Sequence, residues 1–245
     1  MLRHLGNRRT DAHNVKIAAL LSLSAGIVNA CGFLGFSVLT TNVTGHAALF
    51  AERLVMEDWK ASRVVALWMF LFLAGAFFSS LIINRIGRNQ RFSYVIPLLV
   101  EMTVFLLIGF LGYRYDRSLV AREIFAGSLL FVMGMQNAMV SMVSGAEVRT
   151  THLTGTFTDL GIELAQWTRA PEEERRALNV KLKLHATIIT CFLSGALTGA
   201  CAFRYLSYRS LFLPFILLLF TLGYDVFRIH GKRYYRKLSG RLSTK

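Results

Sequence analysis

Charge is what this chain has least of. Only 17% of its 245 residues are Asp, Glu, Lys or Arg, where a soluble domain carries roughly 25%. A composition so poor in charge excludes an ordinary water-soluble domain. Cysteine is nearly absent as well. Cys31, Cys191 and Cys201 are the three in the chain; they are odd in number, sit in apolar runs and lack metal-ligand spacing. They therefore exclude a disulfide framework and are expected to pack as small hydrophobes. Also missing are a phosphate-binding loop, a dinucleotide glycine fingerprint and any nucleophile–base arrangement at usable spacing. No enzymatic activity, catalytic residue or cofactor is expected.

What the chain does have is apolar length. Hydrophobic residues make up 54% and the mean hydropathy is +0.46. Crossing the roughly 30 Å hydrocarbon core takes about 20 apolar residues. Six such runs are present, near 16–39, 62–83, 93–112, 119–143, 182–203 and 210–228. The expected fold class is an all-α membrane protein of six transmembrane helices forming one membrane domain over 1–245. The formal net charge of +14 could suggest nucleic acid, but its distribution argues against that partner. Lys and Arg crowd into the N-terminal segment, the 83–93 loop, the 144–181 stretch and the C-terminal tail. These pieces fall on one side of a six-span chain, and the positive-inside rule makes that side cytoplasmic. The expected topology is multi-pass, with both termini inside. The basic tail can lie against anionic lipid heads.

The chain repeats itself. Thr40-Thr-Asn-Val-Thr-Gly45 returns as Thr150-Thr-His-Leu-Thr-Gly155, and Gly26-Ile-Val-Asn29-Ala30 returns as Gly134-Met-Gln-Asn137-Ala138. Phe72-Leu-Ala-Gly75-Ala76 is echoed by Phe192-Leu-Ser-Gly195-Ala196, and Pro97 by Pro214. The expected layout is a cytoplasmic N-terminus (1–15), a first three-helix repeat (16–113), a second (119–229) and a basic cytoplasmic tail (230–245). An odd number of spans per repeat turns the second half upside down, giving the 3+3 inverted-topology repeat common among secondary transporters. After each Thr-Gly step comes a stretch too short and polar to cross the membrane, expected as a half-helix. Pro171 followed by three glutamates reads as the start of an amphipathic helix leading into the fifth span.

The repeated polar residues are the candidates for function. Thr44 and Thr154 read as N-caps of the two half-helices, where hydroxyls and exposed N–H groups form a donor cluster. Gly45 and Gly155 let backbone or ligand approach closely. Asn29 lies roughly 15–20 Å into the first span and Asn137, preceded by Gln136, is similarly deep in the fourth. An amide in hydrocarbon needs a partner, from another helix or a solute. The small residues Gly26-xxx-Ala30, Gly75-xxx-Ser79, Gly134-xxx-Ala138 and Gly195-xxx-Gly199 read as close helix contacts. Glu101 lies about 12 Å into the third span. There a carboxylate costs about 2.5–3.5 kcal/mol, so it must be protonated, paired or facing a wet cavity. Its counterpart is Leu218, so the acid is not duplicated. Asp225 and Arg228 read as a local ion pair, Arg149 as an interface anchor or an anion contact. His46 and His152 flank the motifs on different sides without further ligand spacing, so no metal is expected.

The early Ala25-Gly-Ile-Val-Asn29-Ala-Cys-Gly-Phe33, the Thr44-Gly45 step, Met133-Gly-Met-Gln-Asn137-Ala138 and Thr150-Thr-His-Leu-Thr-Gly-Thr156 together resemble the YoaK-type membrane proteins. That bacterial family of unknown function (UPF0700 type, domain of unknown function 1275) has about six helices. The resemblance covers nearly the whole chain and implies a bacterial inner-membrane protein without an established substrate. The chain departs at Asn29, where Asp is common in the family, and at His46, where Asn often follows the Thr-Gly step. Losing the acid at 29 leaves Glu101 as the candidate coupling group. The resulting expectation is a transporter of a small polar or anionic solute, whose path is lined by Asn29, Thr41, Asn42, Thr44, Gly45, Gln136, Asn137, Thr151, His152, Thr154 and Gly155. Partners are the lipid bilayer and that solute, with no nucleic acid; homo-oligomerisation stays open. The competing readings are a passive channel, a scaffold or sensor using 144–181 and the tail, and an intramembrane enzyme needing Glu101 and His152 on one substrate.

Overall fold

A computed structural model describes residues 11–87, 93–115, 118–145 and 148–223. Among these residues it is all helical, with no strand. The order is α1 (Asp11–Phe36), α2 (Val43–Val55), α3 (Trp59–Ile86), α4 (Val95–Leu111), α5 (Leu119–Ser144), α6 (Leu153–Arg169) and α7 (Glu172–Leu206). A last helical stretch, α8, covers 212–223. Short 3-10 turns follow α4 at Gly112–Arg114 and α7 at Ser207–Leu211.

Local chemistry sets the helix ends. The side chain of Asp58 accepts from the Ala61 N–H at 3.1 Å to start α3, and Ser118 accepts from Ala121 at 3.2 Å to start α5, each meeting one of the orphan donors of a first turn. Gly145, in the left-handed region at φ +68°, ends α5, a backbone conformation that favours glycine. Pro171 and the acids Glu172, Glu173 and Glu174 open α7 as expected. The amphipathic helix and the fifth span are one unbroken rod of 35 residues.

Five stretches are long and apolar enough to cross a membrane: Asp11–Phe36, Trp59–Ile86, Val95–Arg114, Leu119–Ser144 and Glu172–Gly223. The protein is therefore an integral membrane protein with several apolar helices. The six separate runs expected from the sequence become five here, because the last two merge. The 52-residue fifth stretch is interrupted at Ser207, where φ is +50°, and by the turn after it. The expected sixth run starts in α8, and its continuation past 223 lies outside the described residues, as do the Asp225–Arg228 pair and the basic tail. Helices α2 and α6, of 13 and 17 residues, are too short to be among the five.

Two parallel pairs and one antiparallel pair organise the bundle. Leu23 meets Gly195 and Ile27 meets Gly199, so α1 and α7 run the same way. Trp68 bonds to Glu123 and Gly75 meets Phe131, so α3 and α5 do too. Gln136 reaches Leu21 while Phe36 stacks on Phe125, so α1 and α5 are antiparallel. The parallel crossings are reciprocal. A Cβ on Gly26 would overlap the Phe192 carbonyl, and one on Gly134 the Phe72 carbonyl; Gly195 abuts Leu23 in the same way and Gly75 abuts Phe131. Backbone contact of this closeness is the packing that small residues permit between membrane helices. Helices α1 and α5 form the centre, with 61% of each apolar window buried, against 22% in α3. Helix α3 turns Phe70 and Phe77 outward, as a lipid-facing helix does.

Candidate functional site

The loop before α2 is held from α1. The side-chain oxygen of Asn29 accepts from both the N–H and the hydroxyl of Thr41, at 3.2 and 3.0 Å. This fixes Asn42 at the cap of α2, where its side-chain oxygen accepts from the Gly45 N–H at 2.9 Å. The equivalent residue at the start of α6 is His152, which caps by position but makes no capping bond with its side chain. The expected N-caps Thr44 and Thr154 are thus corrected: both lie inside the first turn. The reason is spacing, because a cap side chain reaches the N–H three residues on, and Asn42 to Gly45 has that spacing. The two glycines have a matching duty. A Cβ on Gly45 would strike the Asn42 amide, and one on Gly155 the His152 ring.

Both loops open on one cavity of about 600 Å³. The first copies of the echoed segments line it with Asn29, Thr41, Asn42 and Thr44, the second copies with Asn137, Thr151, His152 and Thr154. These are eight of the expected path residues. Apolar contributions come from Leu39, Val43, Met69, Phe72, Leu73, Ala76, Leu153 and Phe192. Phe72 and Phe192 were missed as site residues, although each begins an echoed Phe-Leu-x-Gly-Ala segment, and that repeat was the available signal. Except for the histidine the lining carries no titratable side chain.

The remaining candidates lie elsewhere. Gln136 is fully buried and works between helices, donating to the Leu21 carbonyl at 3.1 Å and to the Thr150 hydroxyl at 3.5 Å. Gly45 and Gly155 sit under their cap side chains, off the lining. Glu101 is wholly buried, neither carboxylate oxygen has a partner among the described residues, and it does not line this cavity. It shares no surface there with His152. Arg149 is exposed and off the lining. Cys31 packs in the core, its sulfur 3.1 Å from the Ser210 hydroxyl.

The half-helices are pinned differently. His46 of α2 is buried against Trp68, ring centroids 5.4 Å apart, and desolvation pushes its pKa below the usual histidine value. The Trp68 indole N–H donates to Glu123, which pairs with Arg122 at 3.3 Å. In α6, Glu163 pairs with His185 of α7 at 2.9 Å, and the Trp167 indole donates to Asn179 at 2.9 Å. A second cleft of about 620 Å³ beside this hairpin is lined by Asp11, Asp159, Glu163 and Lys181, among others. Among the described residues no three His, Cys, Asp or Glu side chains are grouped to hold a metal.

Comparison with known proteins places the chain. The family described as "Protein of unknown function (DUF1275)" matches residues 17–224. The UPF0700 transmembrane protein YoaK of Bacillus subtilis (strain 168) is 24% identical over 151 residues, 61% of this chain. The alignment spans 66% of that relative, just under two thirds of its length. No solved structure matches the chain.

Proposed function

The chain belongs to the DUF1275 family of proteins of unknown function, and from that premise we propose that it conducts a small polar solute across a bacterial inner membrane. The solute passes through the cavity between the Thr-Gly motifs. In this reading the chain crosses six times as a 3+3 inverted-topology repeat, α1, α3 and α4 against α5, α7 and α8, with both termini cytoplasmic. The opposite sense of α1 and α5, the parallel pairs α1–α7 and α3–α5 and the reciprocal glycine contacts support the repeat. The crowding of Lys and Arg on one side supports the orientation.

One observation carries the solute path: equivalent residues of both repeats, Asn29 with Asn137, Thr41 with Thr151 and Thr44 with Thr154, line a single cavity. Binding at the interface of two repeats, beside the starts of short helices, is how alternating-access proteins hold a solute. The off-lining position of Glu101 favours passive permeation over coupling through that acid. Purified protein in liposomes tests both, with an imposed pH gradient and with Thr154→Val and Glu101→Gln beside the parent. Uptake lost in Thr154→Val but indifferent to the gradient and to Glu101→Gln is the channel outcome. Uptake that needs the gradient and Glu101 is a coupled transporter. No flux from well-folded protein removes the solute path and leaves a membrane scaffold.

A further inference from the structure

Among the described residues three other than glycine have a positive φ. Two of them, Ser37 at +58° and Ser207 at +50°, line a single pocket of about 560 Å³. Ser37 follows the last residue of α1, and Ser207 that of α7. The echoed positions carry glycine. Ser37 stands eleven residues after Gly26 as Gly145 stands after Gly134, and Ser207 stands twelve after Gly195 as Gly87 stands after Gly75. Gly87 and Gly145 have φ of +101° and +68°, which costs a residue without a Cβ little. At the opposite end of the bundle the same two turns are made under strain, and strain of this kind gathers where side chains bind something.

We propose that this pocket binds a phosphate group, with the guanidinium of Arg122 as its charge partner and the hydroxyls of Ser37 and Ser207 as further donors. The pocket shares no residue with the cavity between the Thr-Gly motifs, so the site stands apart from the solute path. Both serines are exposed, and neither hydroxyl bonds to protein among the described residues. Arg122 keeps a third of its side chain exposed. Its Nε donates to Glu123 at 3.3 Å, which leaves the terminal N–H groups of the fork for a ligand. No Asp or Glu lines the pocket. The described residues of 112–123 and 203–211 hold Arg114, Arg122, Arg204 and Arg209 against Glu123 alone, a balance that favours an anion. Donors brought together from α1, α5 and α7 suit an anion with more than two oxygens, and an arginine fork matches phosphate oxygens in pairs. Tyr113 and Tyr205 are exposed at this end, as tyrosines are at a membrane–water boundary. A lipid headgroup and a free organic phosphate both present the group there.

The test follows thermal unfolding of the full chain in dodecyl maltoside and phosphate-free buffer at fixed ionic strength. The probes are glycerol 3-phosphate and dihexanoyl phosphatidylglycerol, with sodium acetate and dihexanoyl glycerol as the carboxylate and the lipid without phosphate. At a hundred times its dissociation constant a phosphate probe should raise the melting temperature by about 5 °C, and the two controls should not. A shift from the lipid alone assigns the site to headgroups; one from glycerol 3-phosphate alone assigns it to a free phosphate. Arg122→Gln should abolish the shift. Ser37→Gly combined with Ser207→Gly eases both turns, so it should melt no lower than the parent and yet bind the phosphate about tenfold more weakly. Unweakened binding in that variant overturns the role of the hydroxyls, and melting below the parent overturns the strain that singles out the two serines. An equal shift from acetate overturns the phosphate class. No shift from either phosphate probe, with the parent folded, overturns the site.

Discussion

Each of the two echoed Thr-Thr segments is tied to the helix before it, and the side chains that do so differ. In the first, Asn29 holds Thr41 by two bonds, while Val28 beside it has nothing to offer Thr40, whose buried hydroxyl has no partner. In the second, Gln136 stands where Val28 does and reaches Thr150, while the Asn137 oxygen is left unpaired. The glycine crossings, by contrast, are kept alike in both. The difference teaches which contacts the two echoed segments keep and which they vary. Backbone-to-backbone contacts admit no larger residue, so they stay. A tether can move to a neighbouring residue provided the loop is still held.

The largest effects should test the part that is alike. Gly26→Leu and Gly134→Leu each push a side chain into a facing carbonyl, and each should cost about 3 kcal/mol, read as a fall in melting temperature in detergent. Equal losses sustain the equivalence of the crossings, and tolerance of one of them breaks it. Next comes the contrast between the amides. Asn29→Leu should destabilise by about 1–2 kcal/mol through the lost Thr41 bonds. Asn137→Leu should be neutral within about 0.5 kcal/mol, since it gives up no partner in the protein; equal losses in thermal unfolding would erase the proposed division of labour.

A third difference lies in α2 and α6, where His46 corresponds to Thr156. Burial lowers the folded-state pKa of His46 below its ordinary value of 6.5. The unfolded chain therefore takes up a proton that the folded one resists. This group's contribution is intact above about pH 6.5 and is lost as pH falls from there through the depressed folded value. His46→Phe, which keeps a ring against Trp68, should flatten that part of the stability–pH profile. The smallest effect is expected at the paired threonines. Thr150→Val should cost about 0.5 kcal/mol by removing a long bond from Gln136, and Thr40→Val nothing, as equilibrium unfolding of the two variants can show.

Much of this arrangement could be read from the residues. The echoed glycines located both helix crossings, and the echoed Thr-Gly steps both short helices and six lining residues, the echoed Gly-x-x-Asn-Ala segments adding Asn29 and Asn137. Other features were illegible for physical reasons. Helix α4 is apolar nearly all round, so its sequence carries no periodicity to say which way Glu101 faces. The caps were assigned to Thr44 and Thr154 because threonine is a common capping residue, whereas reach to the N–H three residues on selects Asn42. That Asn29 and Asn137 behave differently was beyond sequence reading, since it turns on bonds formed across the loop. The merging of the last two apolar runs depends on a turn at Ser207 that contains neither glycine nor proline.

Helix α7 has 35 residues, which at 1.5 Å each makes it about 52 Å long. The hydrocarbon core is roughly 30 Å thick, so about 20 Å of rod has to stand clear of it. The charged opening Glu172-Glu-Glu-Arg-Arg176 belongs to that projecting part. Helix α6 braces it through Glu163 to His185, Trp167 to Asn179, and Arg175 over the Trp167 ring at 5.0 Å. A membrane protein of 27.5 kDa normally vanishes into its detergent belt in electron micrographs. This one has a stiff handle outside the belt, onto which a rigid partner can be fused in helical register to orient single particles.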